Sequence, residues 1–91
     1  MPVRVHVPEM LRRYTAGAAE VVVEGTSVGA VIGELCARHP ELRARIVGPD
    51  GGVFPFLVVF LAGRELPRAT ALDTAVADGA VLEIVGAAEG G

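Results

Sequence analysis

The feature that most constrains this chain is a single apolar stripe at helical spacing, set between runs that read as strands. Val28, Val31, Ile32, Leu35 and Cys36 recur at i, i+3, i+4, i+7 and i+8, the signature of one buried helix face. Thr26 and Ser27 precede it, and either hydroxyl can accept from an orphan first-turn amide. Pro40 biases His39 away from helical dihedrals, so the helix stops there. Pro40 can also open a short second turn from Glu41 to Val47, with Leu42 and Ile46 on one face. Gly29 and Gly33 lie inside the main helix and each costs about 1 kcal/mol relative to Ala; they read either as sites where another surface approaches closely or, the favoured reading, as products of the composition. A lone helix must bury its stripe against another layer, and its neighbours supply strands.

Val3-Arg4-Val5-His6-Val7 alternates strictly before Pro8, which places Val3, Val5 and Val7 inward. Residues 9–18 have loop composition around Leu11 and Tyr14. Glu20 to Glu24 is a second β-rich run closed by Gly25, and a hairpin is its economical pairing. Beyond the helix, Gly48 to Gly52 reads as a loop and Phe56 to Ala62 as a strand apolar on both faces. Gly63-Arg64-Glu65 turns the chain, and Leu66 returns it to the core. Leu72 to Ala77 reads as a short crossover, Asp78-Gly79 as a turn, and Val81 to Val85 as the last strand. The order predicts an α+β fold: one main helix on one face of a mixed four- or five-stranded sheet. The first and last strands should lie side by side and parallel in its middle. Residues 1–85 form the domain, and residues 86–91 a flexible tail.

Ninety-one residues and 9.4 kDa allow one small domain, which buries about 60–65% of its unfolded surface. Its apolar content of 52% and charged content of 21% are those of a globular chain. A net charge of −3 argues against a nucleic-acid partner. No apolar run is long enough to span a bilayer, and Met1 to His6 lacks a signal-peptide pattern. One cysteine permits no internal disulfide. The expected location is cytoplasmic, with no membrane partner.

All eight basic residues are arginines, and Ser27 and Cys36 are the sole serine and cysteine. A nucleophilic triad would have to draw on these two with His6 or His39. Cys36 sits at the edge of the helix stripe and reads as core. His6 and His39 lack spaced partners for a metal, and His39 reads as a surface residue at the helix end. Gly51-Gly52 is followed by no lysine and is no phosphate loop. Glu9, Glu20, Glu24, Asp50 and Glu89 read as a solvated face, and Asp73 and Asp78 as turn or cap residues. No residue is expected to be catalytic or to hold a metal.

Phe60-Leu61-Ala62-Gly63-Arg64-Glu65-Leu66 resembles the ubiquitin strand-turn Ile-Phe-Ala-Gly-Lys-Gln-Leu. Val28-Gly29-Ala30-Val31-Ile32-Gly33-Glu34-Leu35 resembles the Leu-Gly-Ala-Val-Ile-x-x-Leu helix of the MoaD/ThiS sulfur carriers. The N-terminal Val-rich strand, the apolar strand before Gly63, Asp78-Gly79 and the terminal Gly-Gly extend that resemblance along nearly the whole chain. The segment around 40–55, mostly lacking in the thiazole-synthesis carriers, makes the chain most like the carriers that feed cysteine synthesis. Ala88-Glu89-Gly90-Gly91 departs from their usual Val-Ala-Gly-Gly ending.

The resemblance implies a ubiquitin-like β-grasp fold and a non-enzymatic sulfur carrier, monomeric on its own, with no bound cofactor. It makes the Gly91 carboxylate the reactive group. An E1-like adenylating enzyme would activate it with ATP, and a sulfurtransferase or other sulfur donor would convert it to a thiocarboxylate. A biosynthetic enzyme would then accept the sulfur, into cysteine, molybdopterin, thiazole or a specialised metabolite. Two other readings stand beside it: a ubiquitin-like modifier forming isopeptide bonds through Gly91, and a β-grasp binding module without tail chemistry.

Gly90 and Gly91 carry no Cβ and can pass a narrow channel. Gly86, Ala87, Ala88, Glu89, Gly90 and Gly91, extended, would reach about 20 Å. On the sheet, period two sends Glu83, Val81 and Val85 outward and Leu82 and Ile84 inward. The ubiquitin-like register sends Val58 and Phe60 outward, with Leu57, Val59 and Leu61 in the core. Val58, Phe60, Val81 and Val85, rimmed by Arg4 and His6, would form an apolar patch of the kind that marks a binding face. The opposite register would bury Phe60.

Overall fold

The computed structural model describes residues 2–87. Five strands form one mixed sheet: β1 (Val3–His6), β2 (Glu20–Val23), β3 (Leu57–Leu61), β4 (Arg64–Glu65) and β5 (Val81–Gly86). Their order is β2-β1-β5-β3-β4. β1 and β5 are parallel at the centre, Val5 opposite Leu82. β2 pairs antiparallel with β1, and β3 antiparallel with β5. Helix α1 (Val28–Arg38) covers one face, followed by a 3-10 turn (Pro40–Leu42) and the short α2 (Arg43–Ile46).

α1 forms where its stripe predicts. The Ala30 amide donates to Ser27 Oγ at 3.1 Å, so Ser27 is the cap. The crossover ties down the same end: the Val28 amide donates to the Thr74 carbonyl and the Val76 amide to that of Thr26. Val28, Val31, Ile32, Leu35 and Cys36 are buried against Val3, Val5, Val59, Leu82 and Ile84 of the sheet, and Leu42 and Ile46 complete that core. Arg38 donates to the Val22 carbonyl at 2.7 Å, which fastens the helix end to the outer strand β2. Edge strands with open backbone groups invite further pairing, and this contact satisfies one of them.

Three local expectations are corrected. The presumed loop after β1 contains a 3-10 helix, Glu9–Tyr14. Pro8 enters it extended, the Leu11 amide donates to the Pro8 carbonyl, and Leu11 is buried. Thr15 closes it, buried, with its hydroxyl within hydrogen-bond distance of the Arg12 and Ala18 carbonyls. The β3–β4 turn is Ala62-Gly63, both at positive φ (51° and 82°), so Arg64-Glu65 is a strand and not part of the turn. Two consecutive positive φ values suit the twist of a tight hairpin. Lastly, Gly86 ends β5 opposite Leu57, and the Ala87 amide donates to the Phe56 carbonyl at 2.8 Å. Of these two residues, expected in a free tail, Gly86 belongs to the sheet and Ala87 is tied to the turn before β3; Ala88, Glu89, Gly90 and Gly91 lie outside the described residues.

The helix glycines divide in role. A Cβ on Gly29 would sit 3.0 Å from the Leu72 carbonyl oxygen, so this glycine admits the crossover backbone. Gly33 has open space around its Cβ position. Gly25 is tightest, with Val31 atoms at 2.8 and 2.9 Å from a Cβ there. We therefore expect Gly33→Ala to stabilise the fold by about 0.5–1 kcal/mol through helix propensity. Gly25→Ala should destabilise it by about 1–3 kcal/mol, as overpacking does. Urea titration of the two variants checks both signs.

Candidate functional site

The sheet face away from α1 is open, and its alternation is the expected one. Leu82 and Ile84 are buried while Val81, Glu83 and Val85 point outward; Leu57 and Val59 are buried while Val58 and Phe60 are half-buried on the outer side. Leu61, expected in the core, is only half-buried and packs at its margin, because β3 ends there at the exposed Ala62-Gly63 turn.

Strand register arranges this face in three bands. Val22, Arg4 and Val81 lie on one rung. The next holds Glu20, His6, Glu83, Phe60 and Glu65 across all five strands. Val85 and Val58 pair on the rung towards the end of β5. The expected apolar patch is thus divided: Phe60 lies between two glutamates, and Arg4 lies between two valines instead of on a rim. His6 stands between carboxylates, Nε2 being 3.2 Å from Glu20 and Nδ1 3.8 Å from Glu83. These groups are roughly half-exposed, so their ion pairing contributes little to stability.

A cleft of about 430 Å³ opens beside the end of β5, lined among others by His6, Pro8, Arg12, Glu83 and Val85. Arg12 is held there by its Nε donating to the Val7 carbonyl at 3.0 Å. On the opposite flank of β5, Phe56 is 47% exposed. Its ring stacks on Phe54, with centroids 5.1 Å apart and planes 17° from parallel. Sequence reasoning passed over three exposed large apolar side chains, Met10, Val22 and Phe56. Val22 was legible, since an inward Val23 forces its neighbour outward. Phe56 was not, because it precedes β3 in a turn.

Other candidates fall away from this face. Cys36 is 5% exposed in the core, and burial pushes its thiol up, against a smaller opposite pull from the Arg43 guanidinium. A thiol so placed is a poor nucleophile. His39 caps α1, its amide bonded to the Leu35 carbonyl. Among the described residues, no group of three or more His, Cys, Asp or Glu side chains is placed to hold a metal. No described helix is long and apolar enough to cross a membrane.

A mixed five-stranded sheet with a central parallel pair and one crossing helix is the ubiquitin-like β-grasp fold. The chain belongs to the ThiS family, whose model matches residues 5–91. It is 32% identical over 93 residues to the sulfur carrier protein CysO of Mycobacterium tuberculosis, with both chains covered completely. The crystal structure of that CysO superposes with a TM-score of 0.87 at 31% identity, covering 93% of this chain and 98% of that one. A chain of the BexX/CysO complex of Amycolatopsis orientalis gives 0.86 at 29% identity, covering 93% and 94%. SAMP1 of Haloferax volcanii gives 0.80 at 25%, covering 94% of each chain.

Two outcomes follow from this geometry. Phe60→Ala should cost about 1 kcal/mol, well below the 3–5 kcal/mol of a core phenylalanine, by urea denaturation. Cys36 should react with a disulfide reagent only as fast as the protein unfolds, so adding urea should release its labelling.

Proposed function

We propose that this protein is a sulfur carrier, a co-substrate and not a catalyst, whose reactive group is the α-carboxylate of Gly91. The observation that carries the reading is the full-length relationship to a sulfur carrier protein, in a family match that runs through Gly91. The open sheet face offers a docking surface beside the end of β5, and Cys36 is too buried to carry the sulfur itself. The BexX/CysO complex favours function through a partner protein.

A carboxylate is a poor electrophile, so the chemistry begins with activation. The Gly91 carboxylate attacks the α-phosphorus of ATP in the partner's site and releases pyrophosphate. Hydrosulfide then attacks the acyl carbon and displaces AMP, leaving a C-terminal thiocarboxylate; a persulfide donor gives an acyl disulfide instead, which a second thiol cleaves to the thiocarboxylate and a donor disulfide. The thiocarboxylate sulfur is nucleophilic and is addressed to an acceptor enzyme by the folded body. ATP belongs to the partner; the carrier itself holds no cofactor in this scheme. All steps lie in the cytoplasm.

A second reading, a modifier joined to other proteins through Gly91, is favoured by the likeness to the small archaeal modifier SAMP1. The absence of lysine forbids isopeptide chains of this protein on its own side chains. The two readings share activation and part at the fate of the acyl group.

Incubation with the adenylating enzyme, ATP and a sulfur donor should replace one oxygen by sulfur at the C-terminus, read by intact mass. Lysine adducts carrying a Gly-Gly remnant, without that mass change, would favour the modifier. Gly91→Ala places a methyl beside the reacting carbon, where misplacement of about 1 Å can cost on the order of 100-fold in rate. Thiocarboxylate formation should fall accordingly, while the unfolding free energy from urea titration stays within about 0.5 kcal/mol of wild type. An unchanged activation rate would remove the steric argument for a terminal glycine.

A further inference from the structure

Among the described residues, the most C-terminal backbone contact with the sheet is the hydrogen bond from the Ala87 amide to the Phe56 carbonyl. Four residues separate Ala87 from the end of the chain, and four residues span at most about 14 Å. A partner that acts on the Gly91 carboxyl must therefore meet the body near the end of β5, and Phe56, whose carbonyl holds Ala87, lies within that reach. The opposite end of the face is under no such constraint. Val81 lies five residues back along β5 from Gly86, about 17 Å away at strand rise.

At this point the body carries its most exposed large apolar side chain among the described residues. Phe56 is not loosely placed. Its ring is stacked on Phe54, whose own ring lies against Gly48, where a Cβ would approach it to 3.2 Å. The Phe54 amide donates to the Ile46 carbonyl, and the Leu57 amide donates to that of Phe54. Pro55 stands between the two rings in sequence and restricts the backbone further. Val85, 37% exposed and paired with Val58, is a second exposed apolar side chain near the end of β5. A rigid aromatic at the centre of a contact is the usual form of a binding hot spot, and its preorganisation lowers the entropy lost on binding.

We propose that Phe56, braced by Phe54, is the anchor that docks this carrier into an apolar recess beside the adenylation site of its activating enzyme. The proposal rests on the sulfur-carrier reading. It is tested by following ATP–pyrophosphate exchange by that enzyme while the concentration of the full-length carrier is varied. Phe56→Ala should raise the carrier's KM about 30-fold and leave kcat within twofold. Val22→Ala, equally exposed but at the far end of the face, should leave both within twofold. Phe56→Leu should raise KM more than twofold, and it decides the matter if Phe56→Ala does not fold. The anchor is overturned if the folded Phe56 variant keeps a wild-type KM, if only kcat falls, or if Val22→Ala weakens binding as much. No exchange with the wild-type carrier overturns the sulfur-carrier reading and the anchor with it.

Discussion

The parallel pairing of β1 with β5 is the contact on which the rest of the architecture depends. It joins the two most distant strands of the chain, Val5 opposite Leu82, and puts both in the centre of the sheet. Parallel neighbours need a covered connection, and the intervening chain supplies α1, whose apolar stripe then closes the core over Val5, Leu82 and Ile84. With those two strands central, β2 and β3 can only flank them. The two-residue β4 is short enough to be a weak template for pairing with other chains.

The same pairing gives the molecule its polarity. β1 ends at His6, short of Pro8 and the 3-10 helix, while β5 runs on beside β3 to Gly86. The end of β5 is therefore bordered by a cleft on one side and by the stacked phenylalanines on the other. Folding concentrates surface features where the chain leaves the sheet, although they come from residues far apart in sequence. The half-exposed Glu20-His6-Glu83 group adds little binding energy of its own; its value in a complex would be in selecting a partner's charges.

The composition is poor in reactive side chains, and the structure narrows it further. The thiol is buried in the core with its ionisation suppressed. His6 is engaged by two carboxylates, and Ser27 caps α1. Each candidate nucleophile or base serves the fold or the surface, and the residues form no triad.

The sequence by itself determined the element order, the helix stripe and the facing of the strands, because periodicities of 3.6 and 2 report which residues share a face. Period two sent Val81 and Val85 outward beside Glu83, but β3 is apolar on both faces, so the facing of Val58 and Phe60 was left to the structure, which buries Leu57 and Val59. Only the tertiary structure decided how those outward residues lie across strands. Register brings Glu65, Glu83, His6 and Glu20 onto the rung of Phe60, and lateral register is a property of two segments paired in space. The extent of β5 was likewise undecided, for Gly86 and Ala87 resemble a tail until Leu57 and Phe56 offer them partners. Phe56 looked like the start of an apolar strand; a turn outside β3 and a ring stacked beside it leave it facing solvent.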